Sequence, residues 1–298
     1  MAACLGKDGM SGERIFIFGA GYSARAFARQ AAAGAASIHG TTRSAGKFEA
    51  LAADAVVPLL YGGYGFGETL LPPLRAATHL LVSIAPGEAG DPVLDDLARA
   101  RLEMPALRWI GYLSTVGVYG DHGGAWVDEE TVCRPSSDRS RWRLAAEQGW
   151  TSLAERLGVP IAILRLSGIY GPGRNAFVNL EKGTARRVVK PGQVFNRVHV
   201  EDVAGAARHL MGAGAGGIYN VTDDEPAPPQ DVVTYAAELM GIEPPPPIPF
   251  EEAGMGPMAR SFYSECKRVS NAALKSAGYV LRFPNYRRAL EAMRDARQ

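Results

Sequence analysis

The stretch "IFIFGAGYSARAFARQ", residues 15–30, constrains the fold of this chain more than any other. It opens on an unbroken apolar run. That is the pattern of a strand covered on both faces, because a strand with one wet face alternates apolar and polar residues. Gly19, Ala20 and Gly21 end the run, and Ser23–Ala33 takes up a helical pattern directly behind them. Ala24 is small enough to let that helix pack closely on the strand it follows.

The same alternation continues along the chain. Arg14–Phe18, Ser37–Thr41, Ala55–Leu59, His79–Ile84, Arg108–Ser114 and Ile161–Leu166 read as strands. Ser23–Ala33, Pro92–Leu102 and Arg139–Leu157 read as the helices between them. This order predicts an α/β fold with a doubly wound parallel sheet. In the last helix Trp142, Ala146, Trp150, Leu153 and Leu157 recur at helical spacing, and "PSSD" (135–138) ahead of it supplies capping side chains. Beyond Tyr170 the alternation weakens. "YGPGRN" and "KPGQ" signal turns, and the prolines of "EPPPPIPF" (243–250) exclude a helix or a central strand. A helix at Val203–Met211 and a strand at Ile218–Val221 are placed to return to the sheet.

The totals bound the function. With 47% apolar and 21% charged residues over 298 positions, the chain has an ordinary soluble composition and length enough for a full core. A net charge of +1 gives no reason to expect nucleic acid or an anionic membrane as partner. No apolar run is long enough to span a bilayer, and Met1–Gly12 lacks the apolar segment of a signal peptide. Cys4, Cys133 and Cys266 are far apart and odd in number, which argues against a disulfide framework or a metal site and for a reducing cytoplasm. Arginine supplies 26 of the 32 cationic residues.

A glycine-rich turn that leaves a buried strand and opens a helix is the setting of a dinucleotide site. Gly19 permits the tight turn, Gly21 lets the backbone approach a pyrophosphate, and the amides of Ala20, Tyr22 and Ser23 at the helix N-terminus face it. An NAD site would place an acidic residue about 20 residues on, to bond the ribose 2′-hydroxyl. None occurs between Arg14 and Phe48; Thr42 and Arg43 stand there instead, with Ser44 and Lys47 nearby. A guanidinium suits a 2′-phosphate, so NADP is favoured over NAD.

Further stretches resemble the extended short-chain dehydrogenase/reductase family, the NAD(P)-dependent epimerase and dehydratase group. These are "LSTVGVYG" (113–120), "ILRLSGIYGPGRN" (163–175), "NRVHVEDVAGA" (196–206) and "GGIYNVTDDEP" (216–226), in the family's order and spacing. The resemblance implies a Rossmann domain over 13–170, rejoined by 197–225, and a smaller C-terminal substrate region over 171–298, with a flexible extension over 1–12. It implies a small-molecule substrate, nucleotide-sugar-like or otherwise, bound between the two. It also implies a homodimer, with Arg139–Leu157 as one of the pairing helices. Ser83, Ile84, Ala85 and Pro86 would line the cofactor at the end of the fourth strand. Arg197 would contact an anionic part of the substrate, and His199 would be a structural hydrogen-bonding residue.

The family's proton relay is a Ser or Thr with a Tyr-x-x-x-Lys on the next helix. Thr115 matches the hydroxyl position, with Ser114 beside it, but alignment through Glu147 puts Arg139 at the tyrosine position and Arg143 at the lysine position. Arg143 preserves a cation near the cofactor. Arg139 cannot act as a general base near neutral pH. Together with Glu147 they form either a solvated helix face or, at Arg139 and Arg143, an anion site for substrate. Tyr119 and Tyr170 are the nearest phenols that could replace the missing group. The only literal Tyr-x-x-x-Lys, Tyr263–Lys267, lies far from the strand it should follow. Two functions compete: an NADP-dependent reductase, epimerase or dehydratase whose acid–base group has moved, and a non-catalytic NADP-binding regulatory or interaction protein.

Overall fold

The computed structural model describes residues 12–297, so the extension expected over 1–12, and Cys4 with it, lies almost wholly outside the described residues. Strands β1 (Glu13–Phe18), β2 (Ala35–Thr42), β3 (Val57–Leu60), β4 (His79–Val82) and β5 (Trp109–Thr115) join Ile161–Leu166 and Gly217–Val221 in one seven-stranded parallel sheet. The strand order is Gly217–Val221, Ile161–Leu166, β5, β4, β1, β2, β3. From β1 the chain runs outward through β2 to β3, then returns to β4 on the other flank of β1. The carboxyl end of β1 is therefore a topological switch point, where open α/β sheets leave a crevice. The returning strand expected at Ile218–Val221 takes the sheet edge beside Ile161–Leu166.

Burial explains why these segments are strands. Ile15, Phe16, Ile17 and Phe18 are all buried, as are Leu80, Leu81 and Val82 of β4, so neither strand has a wet face. One core cluster joins Phe16, Phe18, Val82, Ile110 and Tyr112 to Val93 and Leu97 of the helix Pro92–Ala100, and to Ala146, Trp150, Leu153 and Ala154 of the helix Asp138–Leu157. Of the helical series read from the sequence, Leu157 is exposed instead and Ala154 takes an inner place. Asp91 fastens the two helices. One carboxylate oxygen accepts from Val93 and Leu94 N–H, and the other accepts from Trp150 Nε1 at 3.0 Å. Ser137 starts the second helix by accepting from Ser140 N–H, as the "PSSD" stretch implied.

The chain forms two compact units. One holds the described residues up to Ser114, then Trp142–Leu164 and Ala204–Ile218; the other holds Thr115–Arg141, Arg165–Val203 and the chain from Tyr219. The second unit contains three small parallel pairings: Gly168–Tyr170 with Arg197–His199, Arg187–Val189 with Pro247–Pro249, and Trp126–Val127 with Arg268–Val269. The proline stretch thus contributes only a short strand in a two-stranded pairing, which tolerates the missing donors. Phe177, Ala236, Phe283, Tyr286, Ala289 and Leu290 form this unit's apolar cluster. The wholly buried Asp202 fixes the entry to the last helix by accepting from Tyr279 Oη, Arg282 N–H and Phe283 N–H at 2.7–2.9 Å.

Candidate functional site

The turn after β1 depends on backbone geometry. Gly19 has φ of +85°, and a Cβ there would stand 2.8 Å from Ile84 Cγ1 and 3.1 Å from the Ile84 nitrogen. A side chain at 19 meets both a left-handed backbone and a steric block. Thr41 of β2 steadies the turn: its hydroxyl accepts from Gly19 N–H and its carbonyl from Ala20 N–H, both at 2.8 Å. Gly21 is the N-cap of the helix Tyr22–Ala31 and so offers its first amides no capping side chain, and the first turn contains no acidic residue. A Cβ at 21 would meet nothing closer than the Gly19 carbonyl oxygen at 4.0 Å. Ser23 and Ala24 are buried beneath, against the sheet. The result is an open space over a helix end that carries partial positive charge, which is what a diphosphate requires.

Neighbouring strand ends flank this space. At the end of β2, the Thr42 hydroxyl accepts from Ser44 N–H at 3.3 Å, and Arg43 is exposed with no hydrogen bond or ion pair among the described residues. At the end of β4, Ser83 N–H donates to the Phe18 carbonyl at 2.8 Å and Ile84 lies against Gly19. Ala85 is exposed and Pro86 half-buried beyond it. The residues named from the sequence for a cofactor thus gather at the carboxyl edge of parallel strands within one unit.

The end of β5 is more tightly bonded. The buried Ser114 hydroxyl donates to the equally buried Glu147 carboxylate. Glu147 is therefore an interior acceptor and not part of a solvated helix face. Arg143 Nη1 donates to the Leu113 carbonyl at 2.7 Å and to the Tyr112 hydroxyl at 3.2 Å, with its guanidinium carbon 5.5 Å from the Tyr112 ring centre. Nothing in the sequence pointed to Glu147 as the partner of Ser114, or to Tyr112 as a seat for Arg143; both depend on packing between strand and helix. Arg139 is exposed, with no hydrogen bond or ion pair among the described residues.

The remaining candidates lie in the second unit. Thr115 Oγ1 accepts from Gly117 N–H at 3.1 Å and starts the short helix Val116–Tyr119. Tyr119 is wholly buried; its hydroxyl donates to Asn220 Oδ1 at 2.8 Å and accepts from Arg165 Nη1 at 3.0 Å. Burial pushes its pKa up to about 12. A phenol held on both sides in this way is a strut. Tyr170 differs: its hydroxyl is buried with no hydrogen-bond partner. Burial raises its pKa well above the usual phenol range, and the Asp223 and Asp202 charges add to that while Arg197 opposes it.

Arg197 donates to the Phe195 and Ala227 carbonyls, both at 2.9 Å. His199 Nδ1 accepts from Glu201 N–H at 3.2 Å, and its ring lies between Tyr170 and Phe283, at 5.4 and 4.2 Å. Burial lowers its pKa to about 4, so it is neutral at pH 7. The literal Tyr-x-x-x-Lys has another use. Tyr263 packs on Phe195 and Phe250, while Lys267 Nζ donates to the Gly120 carbonyl at 2.7 Å and pairs with Glu265 at 2.6 Å. Among the described residues no group of three His, Cys, Asp or Glu side chains could hold a metal ion. Nor is any helix there long and apolar enough to cross a membrane.

Residues 96–222 match the family model described as "NAD dependent epimerase/dehydratase family". A solved protein of unknown function from Silicibacter pomeroyi is 47% identical, over 95% of this chain and 99% of that one, with a TM-score of 0.84. Over residues 96–222 the chain is thus similar to the NAD-dependent epimerase/dehydratase family. A structure from Methylobacillus flagellatus, itself assigned to the NAD-dependent epimerases/dehydratases, is 27% identical over 96% of this chain and 99% of that one, with a TM-score of 0.70. Protein YeeZ of Escherichia coli K12 is 38% identical over 138 residues, 45% of this chain and 47% of that protein. A 3-diazoavenalumate denitrifying reductase from a Streptomyces species is 35% identical over 95 residues, 29% of this chain and 31% of that protein. The chain thus spans about half or less of the length of these curated relatives. The family binds nicotinamide dinucleotides.

Proposed function

We propose that the chain is an NADP-dependent enzyme that reduces a small carbonyl substrate, with the Tyr170 hydroxyl as proton donor. The observation that carries the reading is the turn after β1, where Gly19 excludes a side chain and Gly21 leaves the helix end open. In this reading the helix end at Tyr22 and Ser23, beyond the glycine turn, faces the diphosphate, and Thr42 with the unpaired Arg43 receives the 2′-phosphate. Ser83, Ile84, Ala85 and Pro86 line the dinucleotide. Arg143, anchored on the Leu113 carbonyl, keeps a cation where the family carries lysine. When bound, the dinucleotide supplies the hydride.

The remaining chemistry is proton transfer. The Thr115 hydroxyl hydrogen-bonds the substrate oxygen, and Arg197 and Arg139 hold an anionic group of the substrate. Tyr170 has the one candidate phenol whose hydroxyl is buried and unpaired. Its raised pKa keeps it protonated at neutral pH, the form a proton donor to a developing alkoxide must have. A similar protein carries the name of a reductase.

Purified protein mixed with NADPH deuterated at C4, and with a panel of aldehydes, ketones and keto acids, tests the proposal. Stereospecific transfer of the label to any acceptor is expected. NADPH binding with no transfer to any acceptor contradicts the enzymatic reading and leaves a binding protein.

A further inference from the structure

A polar cleft of about 340 Å³ lies wholly within the second unit, lined by Trp126, Asp223, Asp224, Val269, Ser270, Asn271 and Lys275. Its volume stands at the lower end of ligand sites, which run from roughly 300 to 1,000 Å³. Asp223 also borders the Tyr170 group, where its charge raises the phenol's pKa; the other lining residues belong to neither the dinucleotide nor the proton-transfer machinery proposed above. Two independent features mark the cleft. Asp223 on its wall is only 1% exposed, yet its Oδ2 has no hydrogen-bond partner, although buried polar atoms are almost always paired. On the rim, Trp126 is 62% exposed, an unusual placement for an indole, held there by the pairing of Trp126–Val127 with Arg268–Val269.

The rest of the wall is organised around Asp224. Its Oδ1 accepts from Asn271 Nδ2 and from Lys275 Nζ, both at 2.7 Å. Asn271 Nδ2 also donates to the Thr222 carbonyl at 2.9 Å, so the amide is fixed in one orientation. Asp224 and Lys275 cancel in charge. Burial raises the Asp223 pKa to about 8, which leaves that carboxyl mostly protonated at neutral pH. The wall thus offers donors and acceptors, one flat apolar face and little net charge. A metal ion would need more carboxylates than this, and a quaternary ammonium would need an ionised one.

We infer that this cleft binds a neutral polyhydroxylated ring of monosaccharide size, stacked on Trp126 and hydrogen-bonded to Asp223, Asp224, Asn271 and Lys275. Ring hydroxyls both donate and accept, which matches the mixed wall, and the apolar face of such a ring covers an exposed indole.

Titration of the full chain with D-glucose, D-galactose and myo-inositol, each to 100 mM on the order of weak carbohydrate sites, tests the inference by calorimetry and by proton NMR of the Trp126 indole N–H. At least one compound is expected to give a saturable response. Trp126→Ala should weaken it about tenfold or more, with unchanged thermal unfolding, since Trp126 is exposed. Lys275→Ala should weaken it by a smaller factor. No saturable response to any of the three, equal binding by Trp126→Ala, or tighter binding of choline than of every polyol would each overturn the inference. None of these outcomes bears on NADPH binding, which is measured separately.

Discussion

The open turn after β1 and the buried group around Tyr170 present polar atoms in opposite ways. At the turn, the exposed helix end has a glycine N-cap and therefore no capping side chain over it. Around Tyr170, the unmet groups are side-chain atoms deep in the second unit: Tyr170 Oη, His199 Nε2 and Asp223 Oδ2. The first arrangement costs little while water has access, and it suits a ligand that must come and go. The second disfavours the unliganded state, because each buried unpaired group forfeits its hydration. Affinity for the dinucleotide is therefore expected to depend on shape at the turn, and reactivity on the protonation state of the buried group.

Substitutions can break this contrast from either side. Gly19→Ala should have the largest effect. The left-handed backbone alone costs about 1–2 kcal/mol, the 2.8 Å approach to Ile84 adds to it, and dinucleotide affinity should fall about 100-fold or more. Fluorescence titration and thermal unfolding measure both effects. Tyr170→Phe should lower kcat about 10²-fold or more, within the range of lost general acid catalysis, while dinucleotide binding stays as it was. Tyr119→Phe should do the reverse, costing about 1–2 kcal/mol of stability through the lost bonds to Arg165 and Asn220 with kcat preserved. If Tyr119→Phe were the variant that lost turnover, the assignment of the two phenols would be wrong.

Arg43→Glu should cut affinity for NADPH about tenfold or more and leave NADH binding nearly unchanged. The last effect concerns pH and leaves dinucleotide affinity untouched. The Asp223 pKa rises from 3.8 to about 8 on folding, so across that range the folded state holds a proton that the unfolded chain has lost. Stability should therefore fall as pH rises from about 4 through 8 and level off above. The limiting slope from this one group is about 1.4 kcal/mol per pH unit. Asp223→Asn should flatten that component between pH 5 and 8, as urea unfolding of both proteins would show; the His199 contribution, with its ordinary unfolded pKa of 6.5, is the same in both and drops out of the comparison. An unchanged slope would mean that Asp223 is ionised when folded.

The sequence made the first unit more legible than the second, for a physical reason. Gly19, Gly21, Ala24 and the apolar runs of β1 and β4 act through local backbone geometry and face-by-face burial, and both leave periodic traces. Arg43 was legible too, because an exposed cation at a strand end needs no distant partner. The Ser114–Glu147 bond, the Arg143 anchor on Leu113 and Tyr112, and the Asp202 clamp join residues far apart in sequence, and no period records such pairs. Glu147 was misleading for that reason: its spacing from Arg143 suits a surface pair, whereas packing turns it inward onto Ser114. Leu157 fits the helical series yet ends exposed, since the helix outlasts the core beneath it.

The central claim is that the turn at Gly19–Gly21 holds a dinucleotide and that Arg43 selects its phosphorylated form. Parallel calorimetric titrations of the purified chain with NADPH and NADH at low salt test it most directly. The account predicts saturable binding of both, with NADPH about tenfold tighter or more. Equal or tighter binding of NADH would contradict the role of Arg43, and binding of neither would contradict the site itself.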